Sequence, residues 1–530
     1  MEAFAHWKDA QLRLQKATQT FLDASISLRD AISQHFAVPS RHSSSEDLMF
    51  KIQSQIALSN SIENQLAISR AAINSTRNLS PAFVPINVLP PELFSRIFAF
   101  VVASKSRDIF CDGPDPLLAI SAVCTRWRQI AIGNRSFWSH IDLITPSLSA
   151  GESSDTTEIT QIWLERSQGT PLHLSVNFRC SVDQRHTSQI LCVLQPHLAC
   201  LASLVFPSVD EETLELFLTF CSRHGVPGSL KSLVIHACPR MRYAPRQSWP
   251  TAYLRGLVEL QLSYLLHVMS PNFLELSTIL SGSPTLQTLR LRHLTILPGQ
   301  ALTVDLPELR LLDITGLDYV SLPGLLNGIS PGGHDLDFRF SLRRLTNSDF
   351  VDFIIPFCRR SKIVSLYLSD MYMPESPDDR VVLLLSCMAF MRVLIVESNF
   401  GDFHSANLVE VNSREKTPRC PKLNILCWKS DSRHSSISEA SQAHIQQVLD
   451  VYSLSSIVLE GFDLASYHRG SQHSDDEALS ERTDDEFVNS LSRKVQSVLT
   501  DRGLLDGENE QVDVNIRKMI DDSRVASIDV

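Results

Sequence analysis

From Glu2 to Phe36 the chain sets Trp7, Leu14, Phe21 and Leu28 seven residues apart among polar positions, with Phe4 and Ile32 on a neighbouring row. A seven-residue repeat keeps one face of a helix apolar, so this spacing predicts a long polar helix over 2–36. The stretch VPSRHSSSED then breaks the pattern with Pro39 and a run of serines. A second helix is predicted over 46–77, carrying Leu48, Ile52, Ile56, Ser59, Ile62, Leu66 and Ile73, with Ser44 or Ser45 as its N-cap. Two helices with a short connection fold back as a helical hairpin or pair with a second copy as a coiled coil, and residues 1–80 are read as one such region.

A proline-punctuated linker, NLSPAFVPINVLPPE, leads into a short helical run, VLPPELFSRIFAFVV, over 88–102. Two adjacent apolar rows lie on it, Leu93, Ile97 and Val101 on one and Phe94, Phe98 and Val102 on the other. An ordinary surface helix carries a single apolar stripe, so the second row needs a cover from elsewhere. Past the loop SKSRDIFCDGPDP, a further helical run, PLLAISAVCTRWRQIAIGNRSFWSHIDL, repeats the problem. Its apolar positions are Leu117, Ile120, Cys124, Trp127 and Ala131, flanked by Val123 and Ile130, while Arg126, Arg128 and Gln129 are expected to face outward.

Beyond Pro171 the period changes. Strand-like pieces with a leucine-rich L-x-x-L-x-L character start at 172, 201, 230, 257, 286, 309, 336, 363, 391, 423 and 454, that is, every 23 to 32 residues. Helical stretches such as VDEETLELFLTFCSRHG and SEASQAHIQQVLDVY lie between them. One strand and one helix per near-constant interval predict an α/β class fold built as an irregular leucine-rich-repeat-like solenoid over 146–464, each repeat burying its face against its neighbours. A doubly wound α/β sheet is the competing reading of the same alternation. On the strands, residues alternating with the buried leucines are expected to line a concave surface for a protein target: Glu259, Gln261, Arg290, Asp313, Tyr367, Ile395 and Cys427.

After Leu464 the chain turns polar and acidic. From Gly461 to the end, 16 Asp and Glu stand against 8 Lys and Arg, so this tail supplies most of the net charge of -11 and the remainder is near neutral. That balance lacks the basic footprint of a nucleic-acid binder. Within 465–530 a helix over about 484–501, with Phe487, Leu491, Val495, Val498 and Leu499 on one side, is expected to cap the last repeat, and disorder is expected from Gly503.

Chemistry leaves little trace. The 11 cysteines contain no C-x-x-C pair and sit mostly in apolar runs, as reduced core thiols do. No phosphate-cradling, dinucleotide-binding, nucleophile-elbow or H-E-x-x-H motif is present, and His468 and His473 have no ligand-type partners nearby. Neither a metal nor a cofactor is therefore expected. The N-terminus is charged without an apolar signal core, and no window approaches 18 uninterrupted apolar residues, so a cytosolic or nuclear location is expected and no membrane contact.

The residues Leu89, Pro90, Glu92, Leu93, Ile97 and Phe98, followed by Val123, Cys124, Trp127, Ile130 and Ala131, resemble the F-box in order and spacing. The closing SFWSHIDL and the following IWLERSQGTPLHLSV are similar to the transition seen in the large F-box family of mushroom-forming fungi, although the loop from Ala103 to Pro116 is longer than in the compact form. The resemblance implies a three-helix domain over 81–145 that binds the Skp-type adaptor of a cullin ubiquitin ligase. It implies Leu89, Pro90, Leu93, Ile97, Phe98, Val123 and Trp127 at or beside that interface, and no catalytic residue of the chain's own. Two alternatives stay open: an interaction scaffold outside the ligase that dimerises through residues 2–77, and an enzyme whose site is assembled from distant residues.

Overall fold

The computed structural model describes residues 2–36, 45–79, 84–103, 115–144, 155–177, 184–237, 248–265, 269–296, 303–318, 320–341, 350–372, 379–400, 408–411, 416–418, 420, 422–430, 439–452, 454–460, 497–500 and 503–504. They belong to two compact units, residues 1–96 with 121–129 and residues 97–120 with 130–530.

In the first unit, α1 (Glu2–Phe36) and α2 (Ser45–Leu79) form where the spacing predicts them. Every described side chain from Glu2 to Ala31 is exposed, whereas α2 half-buries Ile52, Ser59 and Leu66.

The opening apolar helix is α3 (Pro91–Ala103). The run that follows is not one helix but two, α4 (Pro116–Val123) and α5 (Thr125–Gly133). The break falls at Cys124, whose Sγ accepts the Trp127 backbone N–H at 3.5 Å, in the manner of a capping side chain. Past α5, Trp138 is fully buried, donates its indole N–H to the Ala131 carbonyl at 2.8 Å and meets Trp163 edge to face.

Eighteen described strands belong to the second unit. They are β1 (His140–Ile144), β2 (Leu172–Asn177), β3 (Leu201–Val209), β4 (Ser232–Ala237), β5 (Glu259–Ser263), β6 (Thr288–Arg292), β7 (Val304–Leu306), β8 (Leu311–Asp313) and β9 (Ile329–Pro331). The series continues with β10 (Leu336–Ser341), β11 (Ile363–Tyr372), β12 (Val393–Phe400), β13 (Val409–Val411), β14 (Lys416–Pro418), β15 (Ile425–Ser430), β16 (Ser456–Glu460), β17 (Ser497–Thr500) and β18 (Gly503–Leu504). Fourteen make one sheet in the order β1-β2-β3-β4-β5-β6-β8-β10-β11-β12-β15-β16-β17-β18, while β7 pairs with β9 and β13 with β14. Within the large sheet every pairing from β1 to β17 is parallel; only β18 turns back on β17.

That order follows the chain without the reversal a doubly wound sheet requires. All eleven leucine-rich pieces are strands of this sheet. Their register aligns Ile141, Leu174, Leu204, Leu233, Leu260, Leu289, Leu312, Phe338, Leu366, Leu394, Leu426 and Ile457 on a single row. The row is buried in one continuous apolar core.

The intervening helices contribute to the same core. Helix Glu211–His224 lends it Leu214, Phe217, Leu218 and Cys221, and its first turn is capped by Asp210, which accepts the Thr213 N–H at 3.0 Å. Helix Phe273–Ser281 opens with a capping box between Asn272 and Glu275. These two helices thus have a local start signal and an apolar side for the strands.

Two expectations at the C-terminal end are corrected at the few residues described there. Residues 497–500 form a strand paired in parallel with β16 rather than the end of a helix over 484–501, and Gly503–Leu504 pairs with it. Val498 fits a helical stripe and a strand row equally well; pairing with Ile457 decides the matter. The rest of the acidic tail, with His468 and His473, lies outside the described residues.

Candidate functional site

Pro90 and Pro91 start α3 as their fixed φ suggests: the Pro90 carbonyl accepts the N–H of Leu93 at 3.1 Å and of Phe94 at 3.3 Å. The helix then separates its two apolar rows. Phe94 and Phe98 are 0% and 1% exposed, whereas Leu93, Ile97 and Val101 remain 41%, 39% and 41% exposed. One row is core and the other faces out.

This places the expected adaptor-binding residues in three groups. Leu93, Ile97 and Val123 are exposed, as is Pro90. Leu89 and Trp127 are half-buried. Phe98 is buried, so it holds the helix in place instead of meeting a partner directly. Trp127 shares its ring with the interior, packing edge to face on Phe94 at 5.6 Å.

Arg126 does not face outward as the pattern suggested. Its guanidinium donates to the carbonyls of Asn87 and, at 2.7 Å, of Leu89, and lies 5.2 Å from the Phe94 ring centre. The turn Pro85–Val88 leaves carbonyls without helical partners, and a planar guanidinium serves two of them at once. In sequence, an arginine beside a tryptophan gives no sign of this, because the partners are 37 and 39 residues away.

On the sheet, the residues flanking the leucine row define the opposite face. Successive rungs carry Asp142, Ser175, Val205, Val234, Gln261, Arg290, Asp313, Arg339, Tyr367, Ile395, Cys427 and Val458. Six of the seven expected target-facing residues lie on this row, and Glu259 lies on the next row of the same face. Their accessibility differs. Glu259, Gln261 and Arg290 are half-buried. Asp313, Tyr367, Ile395 and Cys427 are buried, the last three with Val458 forming a second apolar cluster. The expectation of an open surface along all seven is corrected at Asp313, Tyr367, Ile395 and Cys427, which are buried; Glu259, Gln261 and Arg290 remain partly accessible.

Polar groups at the boundary are closely paired. Ser232 donates to the Glu259 carboxylate at 2.6 Å and Gln261 at 2.5 Å. Arg292 donates to Asp313 Oδ2 from Nε at 2.8 Å and Nη2 at 2.5 Å, while Thr315 serves Oδ1. Burial alone would raise the Asp313 carboxyl, but Arg292, Arg339 and Thr315 hold it below the ordinary value. Tyr367 donates to Glu397, and burial followed by that carboxylate pushes its phenol well above its usual range.

Among the described residues no group of three or more His, Cys, Asp or Glu is placed to hold a metal, and no helix is long and apolar enough to cross a membrane. Cys221, Cys358, Cys420 and Cys427 are buried free thiols, and burial pushes that of Cys221 up to about 12.

The described residues thus combine short helices, one apolar row of which is open, with a chain-ordered parallel sheet of the α/β class. Residues 86–144 match the family model described as F-box-like, and the chain accordingly carries an F-box-like domain there. F-box domains generally bind Skp-type adaptors of ubiquitin ligases, and F-box proteins are typically non-enzymatic. No curated protein matches the chain.

Proposed function

We propose that this chain is a substrate-recognition subunit of a Skp, cullin and F-box ubiquitin ligase. The observation that carries the reading is the row Leu93, Ile97 and Val101 on α3, exposed beside a buried row of the same helix inside the F-box-like match. Burying a whole side chain of this kind is worth about 1.5–3 kcal/mol, so three partly exposed ones supply a useful share of a docking energy. Leu89, Pro90, Val123 and the open edge of Trp127 border the adaptor, with Phe98 beneath.

The fourteen-stranded sheet is an irregular leucine-rich-repeat-like solenoid that presents the target. Its face opposite the leucine row takes a protein partner around β4–β6, where Glu259, Gln261 and Arg290 offer mixed charge. Ubiquitin transfer is catalysed elsewhere in the complex, in the cytosol or nucleus. This chain contributes proximity and choice.

A pull-down of the full chain beside Leu93→Asp with Ile97→Asp, probed for the adaptor and a cullin, tests the reading. Both positions are exposed, so the variant keeps its fold. Binding by the parent chain alone is expected. Loss of neither partner in the variant, or binding by neither folded form, overturns it; adaptor without cullin points to a scaffold outside the ligase.

A further inference from the structure

Helix α1 repeats a second spacing beside its large residues. Ala3, Ala10, Ala17, Ala24 and Ala31 recur every seven positions, and the last four each lie three residues after a large residue: Trp7 precedes Ala10, Leu14 precedes Ala17, Phe21 precedes Ala24 and Leu28 precedes Ala31. In heptad terms, one seam position is always large and the other always alanine. Phe4 and Ile32 lie on a neighbouring row, and Leu12, Leu22 and Ile26 lie off this seam. All four large residues are exposed, and Arg13, Lys16, Ala17, Thr20, Phe21 and Ala24 make a shallow, mostly apolar patch at the middle of the helix.

We propose that α1 pairs with α1 of a second copy of this chain in antiparallel orientation, an inference that goes beyond the ligase reading and does not depend on it. The alternation of sizes sets the direction. In a parallel pair, like positions meet, so layers of two large residues would alternate with layers of two alanines along helices whose separation depends on the side chains between them. Reversing one helix puts every large residue against an alanine. One register satisfies all four: Trp7 on Ala31 of the second copy, Leu14 on Ala24, Phe21 on Ala17 and Leu28 on Ala10. Phe21 of the second copy then lies on the apolar patch beside Ala17.

Charge agrees with the reversal. Residues 2–18 carry Lys8, Arg13 and Lys16 against Glu2 and Asp9, while residues 19–36 carry Arg29 against Asp23 and Asp30. The halves have opposite net sign and face each other only in the antiparallel pair. Size is adequate as well. At 35 residues α1 is about 52 Å long and roughly 10 Å wide, giving a footprint on the order of 500 Å² per copy and about 1,000 Å² in total, the lower bound for a specific interface.

The test uses the full chain. Light scattering after size exclusion at micromolar concentration is expected to give twice the chain mass of 59.4 kDa, falling to one copy for Leu14→Asp with Phe21→Asp while circular dichroism stays near the parent signal. Direction is read from Leu14→Cys with Ala24→Cys after mild oxidation, the linked peptides being mapped by mass spectrometry. Ten residues of helix separate these positions by about 15 Å, too far for a disulfide within one chain. A link from position 14 of one chain to position 24 of the other supports the proposal. A parent chain of single mass, a dimer indifferent to Leu14→Asp with Phe21→Asp, or links only between like positions overturns it.

Discussion

Two stretches of the same sheet face behave oppositely. Around β4–β6 the rungs opposite the leucine row carry Ser232, Val234, Glu259, Gln261, Thr288 and Arg290, all half-buried. From β11 to β16 the equivalent rungs carry Ser365, Tyr367, Ile395, Cys427, Ser456 and Val458, which are buried, and Val393 and Ile425, which are half-buried against that apolar cluster. The leucine row itself is continuous through both. A uniform inner row therefore says nothing about the outer face, which is set by what alternates with it. Strands apolar on both faces are covered on both. The open part of the face is the part that remains polar.

The largest way to break this comparison is at its boundary, where Asp313 is fully buried against Arg292. Arg292→Met leaves that carboxylate in the interior with Arg339 as its remaining cation, and removing one partner of a buried pair costs about 3–5 kcal/mol. Urea denaturation of the full chain should show the loss. The pH dependence has a definite sign. The folded carboxyl is held below its ordinary value, so its contribution is complete above about pH 4 and is lost as pH falls through the lower folded value. In Arg292→Met burial dominates, the carboxyl shifts up, and acid should narrow the gap between variant and parent. A gap independent of pH would mean that Arg292 acts through packing alone.

Next in size is the covered stretch. Ile395 is buried with Tyr367, Cys427 and Val458, so Ile395→Ala leaves a cavity in that cluster and should cost about 2–5 kcal/mol by the same measurement. A change below about 1 kcal/mol would return Ile395 to an open surface and extend the target face past β6.

Much of this was legible before any coordinates. Eleven strands follow from L-x-x-L-x-L recurring at near-constant intervals, because each repeat must bury the same row against its neighbours. The two rows on α3 were also readable, since i, i+4 spacing fixes which residues share a side. What was not read is which row would be covered, and the phenylalanines decide it: Phe94 packs on Trp127 and beneath Arg126, contacts made across distant parts of the chain. Residues 367, 395 and 427 illustrate an available signal that the leucine pattern obscured. Val393, Ile425 and Val458 beside them end the polar and apolar alternation seen at Glu259 and Gln261. Strand β17 carried no such signal, because four residues are too few for either period to prevail.

The smallest expected effect sharpens the comparison most. Gln261 is half-buried and donates to Glu259, which also accepts from Ser232. Gln261→Ala removes one of these bonds yet leaves the carboxylate its serine and access to water, so stability should change by only about 0.5–1.5 kcal/mol. A role in target binding shows elsewhere: with adaptor binding intact, Gln261→Ala and Arg290→Ala should weaken capture of target by the assembled complex, whereas Cys427→Ala should leave capture unchanged once the folded fractions are matched. The reverse order of sensitivities would place the target on the C-terminal strands, and the burial there would then have to open for binding to occur.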